Sequence, residues 1–360
     1  MKLLQFIIFT KTEWLEPPRL RHQIVRLLLS AGHTVIYFEK PSYPWHRNNI
    51  KDSEINGLTL KNTTQLLHHK LRLSSIFGKL NEVFERVSIK RSSFEMMGEN
   101  VVINFNYDYY FLRKIFPGLK IITILNDDSW SKAILGSTSF YKSSLKKTCM
   151  MSDVVASVSP AISNQINHYC SPKSFYPWAD KSYQTPKKSE NKYQLLFWGY
   201  INSRLDFQYL KGLINHSRVM SFKLEILLVG PIPKELNEIK RIKKIPEISF
   251  QPATPLEELS LDNVFGAIIP YRNDNNPDIE PIFLPNKGLS LLARGLPLII
   301  TGMPNFIFAP FVFRLGQTFT KDLKILSDVR DNFYNLQEPI KKFVNQNSSQ
   351  SRLDQILEWV

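Results

Sequence analysis

A chain of 360 residues is long enough for about two domains at ~150 residues each, and it can bury large cores without disulfide staples. Its 43% hydrophobic and 22% charged residues are ordinary for a globular protein, which excludes a disordered or fibrous chain. The excess of 46 Lys+Arg over 32 Asp+Glu leaves a net charge of +14 and suits anionic partners. The basic residues are spread out and do not interleave with aromatics, so nucleic acid is not expected as a partner.

The first residues, MKLLQFIIFTKTEW, read as a buried strand over Leu3–Phe9 and not as a signal peptide, because Gln5 breaks the apolar core and no small-residue cleavage site follows. A helix over Arg19–Ser30, closed by Ala31-Gly32, leads to a second strand, TVIYF, at Thr34–Phe38. A β–α–β opening of this kind begins a doubly wound sheet. From His68 to Arg91 the chain is basic, and Leu71, Leu73, Ile76, Phe77, Leu80, Val83, Phe84 and Val87 recur at near-helical spacing. That pattern fits either a helix lying on an anionic membrane surface or a solvated helix packed on its own domain. No run reaches the length of a membrane span.

Further strands are expected at Val101–Phe105, Lys120–Leu125 and Asp153–Val158, with helices over Tyr107–Phe116 and Ala161–Tyr169. The Pro-, Ser- and Lys-rich stretch from Ser171 to Lys192 reads as an interdomain linker. A second α/β series follows. Strands are expected at Tyr193–Trp198, Lys223–Val229, Ile248–Phe250 and Gly266–Pro270, a helix over Asp206–Asn215, and helix with a polar break at Asn345–Ser349 over the last thirty residues. The fold class is therefore α/β, with domains over residues 1–175 and 190–329 and terminal helices over 330–360. Cys149 and Cys170 form no framework and no metal spacing, which points to a reducing, cytoplasmic setting.

The most informative segment is PNKGLSLLARGLPLII, Pro285–Ile300. Asn286 is placed to cap a helix, Lys287 lies in its first turn, and Leu289, Leu291, Leu292 and Ala293 supply a buried face. Gly295 suits a left-handed helix end, Pro297 stops the helix from resuming, and Leu298–Ile300 reads as a buried strand. Free N–H groups at a helix start attract phosphate, and Lys287 adds a full charge.

These residues carry a family resemblance. Pro285, Lys287, Ala293, Gly295 and Pro297 match in register the donor-binding pattern P-x-K-x-x-E-x-x-A-x-G-x-P of GT-B glycosyltransferases, and Ser290 stands where many relatives have glutamate. The turn Gly32-His33-Thr34-Val35 is similar to the G-H-x-V turn of the acceptor-side domain in that family. The resemblance implies two Rossmann-like doubly wound domains facing across a cleft, with the terminal helices packing back across the junction. It implies transfer of a sugar from a nucleotide-sugar donor, most readily a UDP-sugar, to a hydroxyl of a surface-glycan or lipid-linked precursor. No separate cofactor or metal is implied. Serine at position 290 departs from the glutamate that usually holds the donor ribose, which keeps open a noncatalytic subunit supporting a partner transferase. A sugar-nucleotide epimerase of the same fold is a further alternative, although no matching set of acid/base groups is apparent.

In doubly wound sheets ligands lie beyond the carboxyl ends of the strands. That rule nominates Gly199 and Arg204 after one strand, the span from Gln251 to Thr254 as a slot for the base, and Asn286, Lys287 and Ser290 at the helix start. Asp127 and Asp128, just beyond a buried strand, are the candidate acid/base carboxylates, with Arg21 and His22 as weaker acceptor-side candidates. Asp274, Asp278 and Glu280 lie in a turn-rich loop whose spacing is not that of an EF-hand, and a solvated loop is expected there.

Overall fold

The computed structural model describes residues 3–16, 19–45, 55–68, 75–92, 94–126, 138–179, 182–187, 192–232, 237–273, 279 and 282–360. Asp127, Asp128, Asp274, Asp278 and Glu280 lie outside the described residues. The chain divides into two compact units, residues 1–176 with 352–360, and residues 177–351.

In the first unit the elements run β1 (Leu4–Phe9), α1 (Leu20–Ser30), β2 (Thr34–Phe38), β3 (Leu58–Lys61), α2 (Ser75–Arg91), β4 (Glu99–Asn104), α3 (Leu112–Ile115), β5 (Lys120–Leu125), α4 (Thr138–Met151), β6 (Val154–Ser157), α5 (Pro160–Ile166) and β7 (Lys173–Ser174). They form a parallel seven-stranded sheet in the order β3-β2-β1-β4-β5-β6-β7. All six residues of β1, LQFIIF, are buried, as expected of a central parallel strand covered on both faces. The edge strands β3 and β7 have no such apolar run and were not legible in the sequence. The helix expected over Tyr107–Phe116 shrinks to α3, a single turn. Its intended first turn is held by other partners. The Asn104 side chain bonds both the N–H and the carbonyl of Asn106, and Lys11 grips Asp108 at 2.7 Å.

The second unit runs β8 (Gln194–Trp198), α6 (Phe207–Val219), β9 (Glu225–Val229), α7 (Asn237–Ile242), β10 (Ile248–Gln251), β11 (Val264–Pro270), α8 (Asn286–Ala293), β12 (Leu298–Thr301), β13 (Val312–Arg314), α9 (Phe319–Asp331) and α10 (Gln337–Gln346). Its parallel six-stranded sheet has the order β10-β9-β8-β11-β12-β13. Every residue of β11, VFGAIIP, is buried. Asp206 caps α6, its carboxylate accepting from the Tyr209 N–H at 2.8 Å. The final helix, α11 (Ser349–Glu358), joins the first unit from Arg352 onward. There the Arg352 Nε donates to the Tyr176 carbonyl at 2.7 Å, and Trp359 packs on Phe175.

Two local devices fix helix ends. At the end of α8 the Gly295 N–H donates to the Leu292 carbonyl and the Leu296 N–H to that of Leu291, with Gly295 at φ +72°. This is the Schellman arrangement. A Cβ on Gly295 would lie 2.4 Å from the Pro186 ring and 2.6 Å from the Gln337 carboxamide oxygen. Gly295→Ala should therefore destabilise the fold by about 1–2 kcal/mol from conformation alone, plus the displacement of Pro186, read as a lower denaturant midpoint at unchanged slope.

At the start of α1, His22 is buried, and both ring nitrogens are used. Nδ1 accepts from the Arg19 N–H at 3.0 Å, while Nε2–H donates to the Glu13 carbonyl at 3.2 Å. Burial, against the pull of the Glu13 carbonyl and with help from the Arg26 and Arg21 charges, holds the imidazole below its ordinary pKa. Burial does the same to His33. A proton therefore binds the unfolded chain first. The stability that neutral His22 contributes is complete above about pH 6.5 and is lost as the pH falls from there toward the folded pKa. Thermal melting should drop between pH 7.5 and 5.5 (roughly the flanks of that window), and the drop should be smaller for His22→Asn, which keeps an acceptor for the Arg19 N–H.

Candidate functional site

In both sheets the connections reverse at one point, between β1 and β4 in the first unit and between β8 and β11 in the second. Crossovers leave to opposite sides there, so no loop fills the gap at the carboxyl ends, and that gap is where such sheets take ligands. In the second unit the gap is bounded by Gly199 after β8 and Tyr271 after β11, and α8, which connects β11 to β12, starts over it.

Lys287 occupies the gap. Its half-buried side chain lies 3.7 Å, at Cδ, from where a Cβ on Gly199 would sit. Its Nζ is 4.8 Å from the centre of the Phe197 ring and 4.6 Å from that of Tyr271, and it donates to the Tyr271 hydroxyl at 2.7 Å. Two aromatic faces thus steady the ammonium without neutralising it. The helix start itself has Pro285 at the cap position, which supplies no side-chain acceptor, and Asn286 is the first helical residue instead of the cap. Arg204 is brought to the same place through backbone pairing. Its carbonyl accepts from the Arg272 N–H at 3.0 Å, and Leu205 bridges Tyr271.

Glycine is obligatory where the neighbouring strand-end loop meets this one. Gly230, after β9, sits at φ +151°, and a Cβ on it would be 1.8 Å from the Gly199 carbonyl oxygen. The two loops touch backbone to backbone, and the Gly199 and Gly230 N–H groups donate to the Val229 and Gln251 carbonyls, so no side chain stands between them.

Beside the gap lies a cavity of about 280 Å³ lined by Gln184, Trp198, Pro255–Glu257, Ser290, Ala293 and Arg294. Trp198 is fixed by its indole N–H, which donates to the Thr254 carbonyl at 2.9 Å. The Ser290 hydroxyl donates to the Asn286 carbonyl one turn back at 3.2 Å. Thr254 turns its own hydroxyl to the Pro252 carbonyl, and Gln251 pairs with Val229 within the sheet. The cavity wall is therefore the segment just after the expected slot. Glu257 and Trp198 were not singled out from the sequence, although Trp198 closes the strand YQLLFW and so stands at a carboxyl end. Tyr271 was legible only as the first residue of a long loop.

The corresponding gap of the first unit is filled by the protein's own charges. Lys11 pairs with Asp108, whose side chain is 2% exposed, and its Nζ lies 5.3 Å from both the Tyr107 and Tyr109 rings. The buried Arg21 bonds the Thr12 hydroxyl and donates to the Asn126 side-chain oxygen at 3.3 Å. It thereby ties α1 to the ends of β1 and β5, immediately before Asp127 and Asp128 in the chain. His22 spends both nitrogens on backbone groups, as described above, so neither is placed for proton transfer. Among the described residues no group of three or more His, Cys, Asp and Glu side chains could hold a metal ion, and no helix is long and apolar enough to cross a membrane.

No protein-family model matches the chain, and no curated protein matches it by sequence. Solved structures match its fold. A sucrose-phosphate synthase from Thermosynechococcus elongatus superposes with a TM-score of 0.63 at 12% identity, over 99% of this chain and 98% of its own. The lipopolysaccharide outer core galactosyltransferase WaaB gives 0.62 at 10% identity over the full length of both chains. Anabaena HepE, solved in complex with UDP and glucose, gives 0.62 at 10% identity over 99% of each. With its two parallel-stranded α/β units, the chain has the GT-B fold of these glycosyltransferases.

Proposed function

We propose that the protein is a cytoplasmic glycosyltransferase that moves a sugar, a hexose in this reading, from a nucleotide donor to a hydroxyl of a surface-glycan or lipid-linked precursor. The observation that carries this reading is the half-buried Lys287 ammonium at the start of α8, steadied by Phe197 and Tyr271 in the gap between β8 and β11. A diphosphate gains charge as the sugar leaves it. A preorganised ammonium with the N–H groups of a helix start stabilises that charge in the transition state. Arg204 is the second cation of this set. The adjoining cavity offers a nucleoside the Trp198 and Leu256 side chains for its base, and the Ser290 hydroxyl with the Glu257 carboxylate for its ribose. HepE has been solved with UDP and with UDP-glucose, which favours a uridine nucleotide here. The donor is a substrate, and the reading invokes no separate cofactor. The free thiols Cys149 and Cys170 accord with a reducing compartment.

Calorimetric titration with UDP, GDP, ADP and dTDP tests the reading. One diphosphate should bind, and Lys287→Ala should weaken it by about 1.5–3 kcal/mol, the worth of a hydrogen bond to a charged group, while leaving the melting temperature nearly unchanged. Equal affinity of the variant and the parent would remove Lys287 from the site.

Asp127 and Asp128 are proposed as the acid/base carboxylates on the acceptor side. Replacement of either catalytic carboxylate by Asn should lower turnover by about 10²–10⁴-fold with nucleotide affinity unchanged, because the interaction is made only in the transition state. A variant that loses nucleotide affinity and turnover in parallel would assign the residue to binding instead.

A further inference from the structure

The helix α2 is built inside out. Along Ser75–Arg91, Asn81, Glu82, Glu85 and Ser88 turn toward the domain, while the apolar side chains other than the buried Ile89 turn outward. Asn81 is fully buried, and its side-chain oxygen accepts from the Leu66 and Leu67 N–H groups at 2.7 and 2.8 Å. Glu85 is buried as well, Glu82 accepts from the Tyr110 hydroxyl at 2.7 Å, and the Ser88 hydroxyl accepts from the Thr64 N–H at 2.8 Å. Gly78 faces inward beneath α4, where a Cβ would strike the Phe140 ring.

On the opposite side Ile76, Leu80, Val83, Phe84 and Val87 follow helical spacing and are exposed, from 38% at Val87 to 68% at Ile76. An apolar stripe of this kind in water marks an interaction surface. Its edge decides the partner. Lys79, Arg86 and Lys90 line one flank at i, i+7 and i+11, and Arg91 closes the last turn. Both acidic residues of the helix face the domain, so the outward side presents only positive charge around an apolar centre.

We propose that the outward face of α2 docks on an anionic lipid surface, with Leu80, Val83 and Phe84 entering the acyl boundary and Lys79, Arg86, Lys90 and Arg91 lying among acidic headgroups. Apolar burial and charge attraction act together in such a contact. The net charge of +14 on the whole chain acts in the same direction at longer range. The docking face is independent of the Lys287 site, because it lies on a different unit and uses none of its residues.

Flotation of the full chain with vesicles tests this. The protein should rise with vesicles of phosphatidylcholine and phosphatidylglycerol, stay behind with phosphatidylcholine alone, and be partly released by salt. The triple variant Leu80→Gln, Val83→Gln, Phe84→Gln should abolish flotation. Lys79→Gln and Lys90→Gln, both at exposed positions, should each weaken partitioning about fivefold. Melting temperature and nucleotide titration on the same samples keep loss of docking distinct from loss of fold or of the donor site. Absence of flotation with anionic vesicles, or a triple variant that floats like the parent, overturns the proposal. So does a parent that is dimeric by light scattering and becomes monomeric in the triple variant, since the stripe would then be a contact between copies of the chain.

Discussion

The adjacency of β8 and β11 is the constraint on which the second unit's chemistry depends. Parallel strands need crossovers, and where consecutive crossovers leave for opposite faces the carboxyl edge stays open. Three features exploit that opening. The Gly199 and Gly230 loops approach closely enough that no Cβ fits between them. Tyr271 places a hydroxyl over the gap, and α8 delivers Lys287 to it. Among the described residues the ammonium's partner is the Tyr271 hydroxyl and its walls are two aromatic rings, none of which cancels its charge.

The same topology in the first unit is used differently. There the cation at the open edge, Lys11, is neutralised by a buried carboxylate, Asp108, and the guanidinium of Arg21 is spent on Thr12 and Asn126. Buried charges of this kind persist only when paired and hydrogen-bonded. The two gaps are thus alike in backbone and different in electrostatics: one is closed by internal pairing, and in the other no described carboxylate pairs with the cation.

The inverted polarity of α2 has a cost that the fold meets in part by specific bonding. Burying Asn81, Ser88 and Glu82 against the domain is tolerable because their oxygens accept from Leu66, Leu67, Thr64 and Tyr110. A helix chosen only for stability would turn the other way and bury Leu80, Val83 and Phe84. The energetic asymmetry is the physical reason to treat the outward stripe as a working surface.

Much of this architecture can be read from residues near one another in the chain. The strands TVIYF and KIITIL are apolar, β-branched runs of strand length, and their observed bounds, Thr34–Phe38 and Lys120–Leu125, are those expected. The helix after Pro285 and its stop at Gly295 are likewise local, since a buried stripe and a left-handed glycine declare themselves within a dozen residues, although the expected cap, Asn286, proved to be the first helical residue. What depends on partners distant in sequence was not legible. The edge strands β3, β7 and β13 exist because a neighbour offers them hydrogen bonds, and α3 is short because Asp108 is taken by Lys11. The cavity wall at Trp198 and Glu257 is made by two segments some sixty residues apart. Periodicity marks α2 as amphipathic, but which of its faces meets water was decided only in three dimensions, by acceptors on Asn81, Glu82 and Ser88 that find their donors in other segments of the chain.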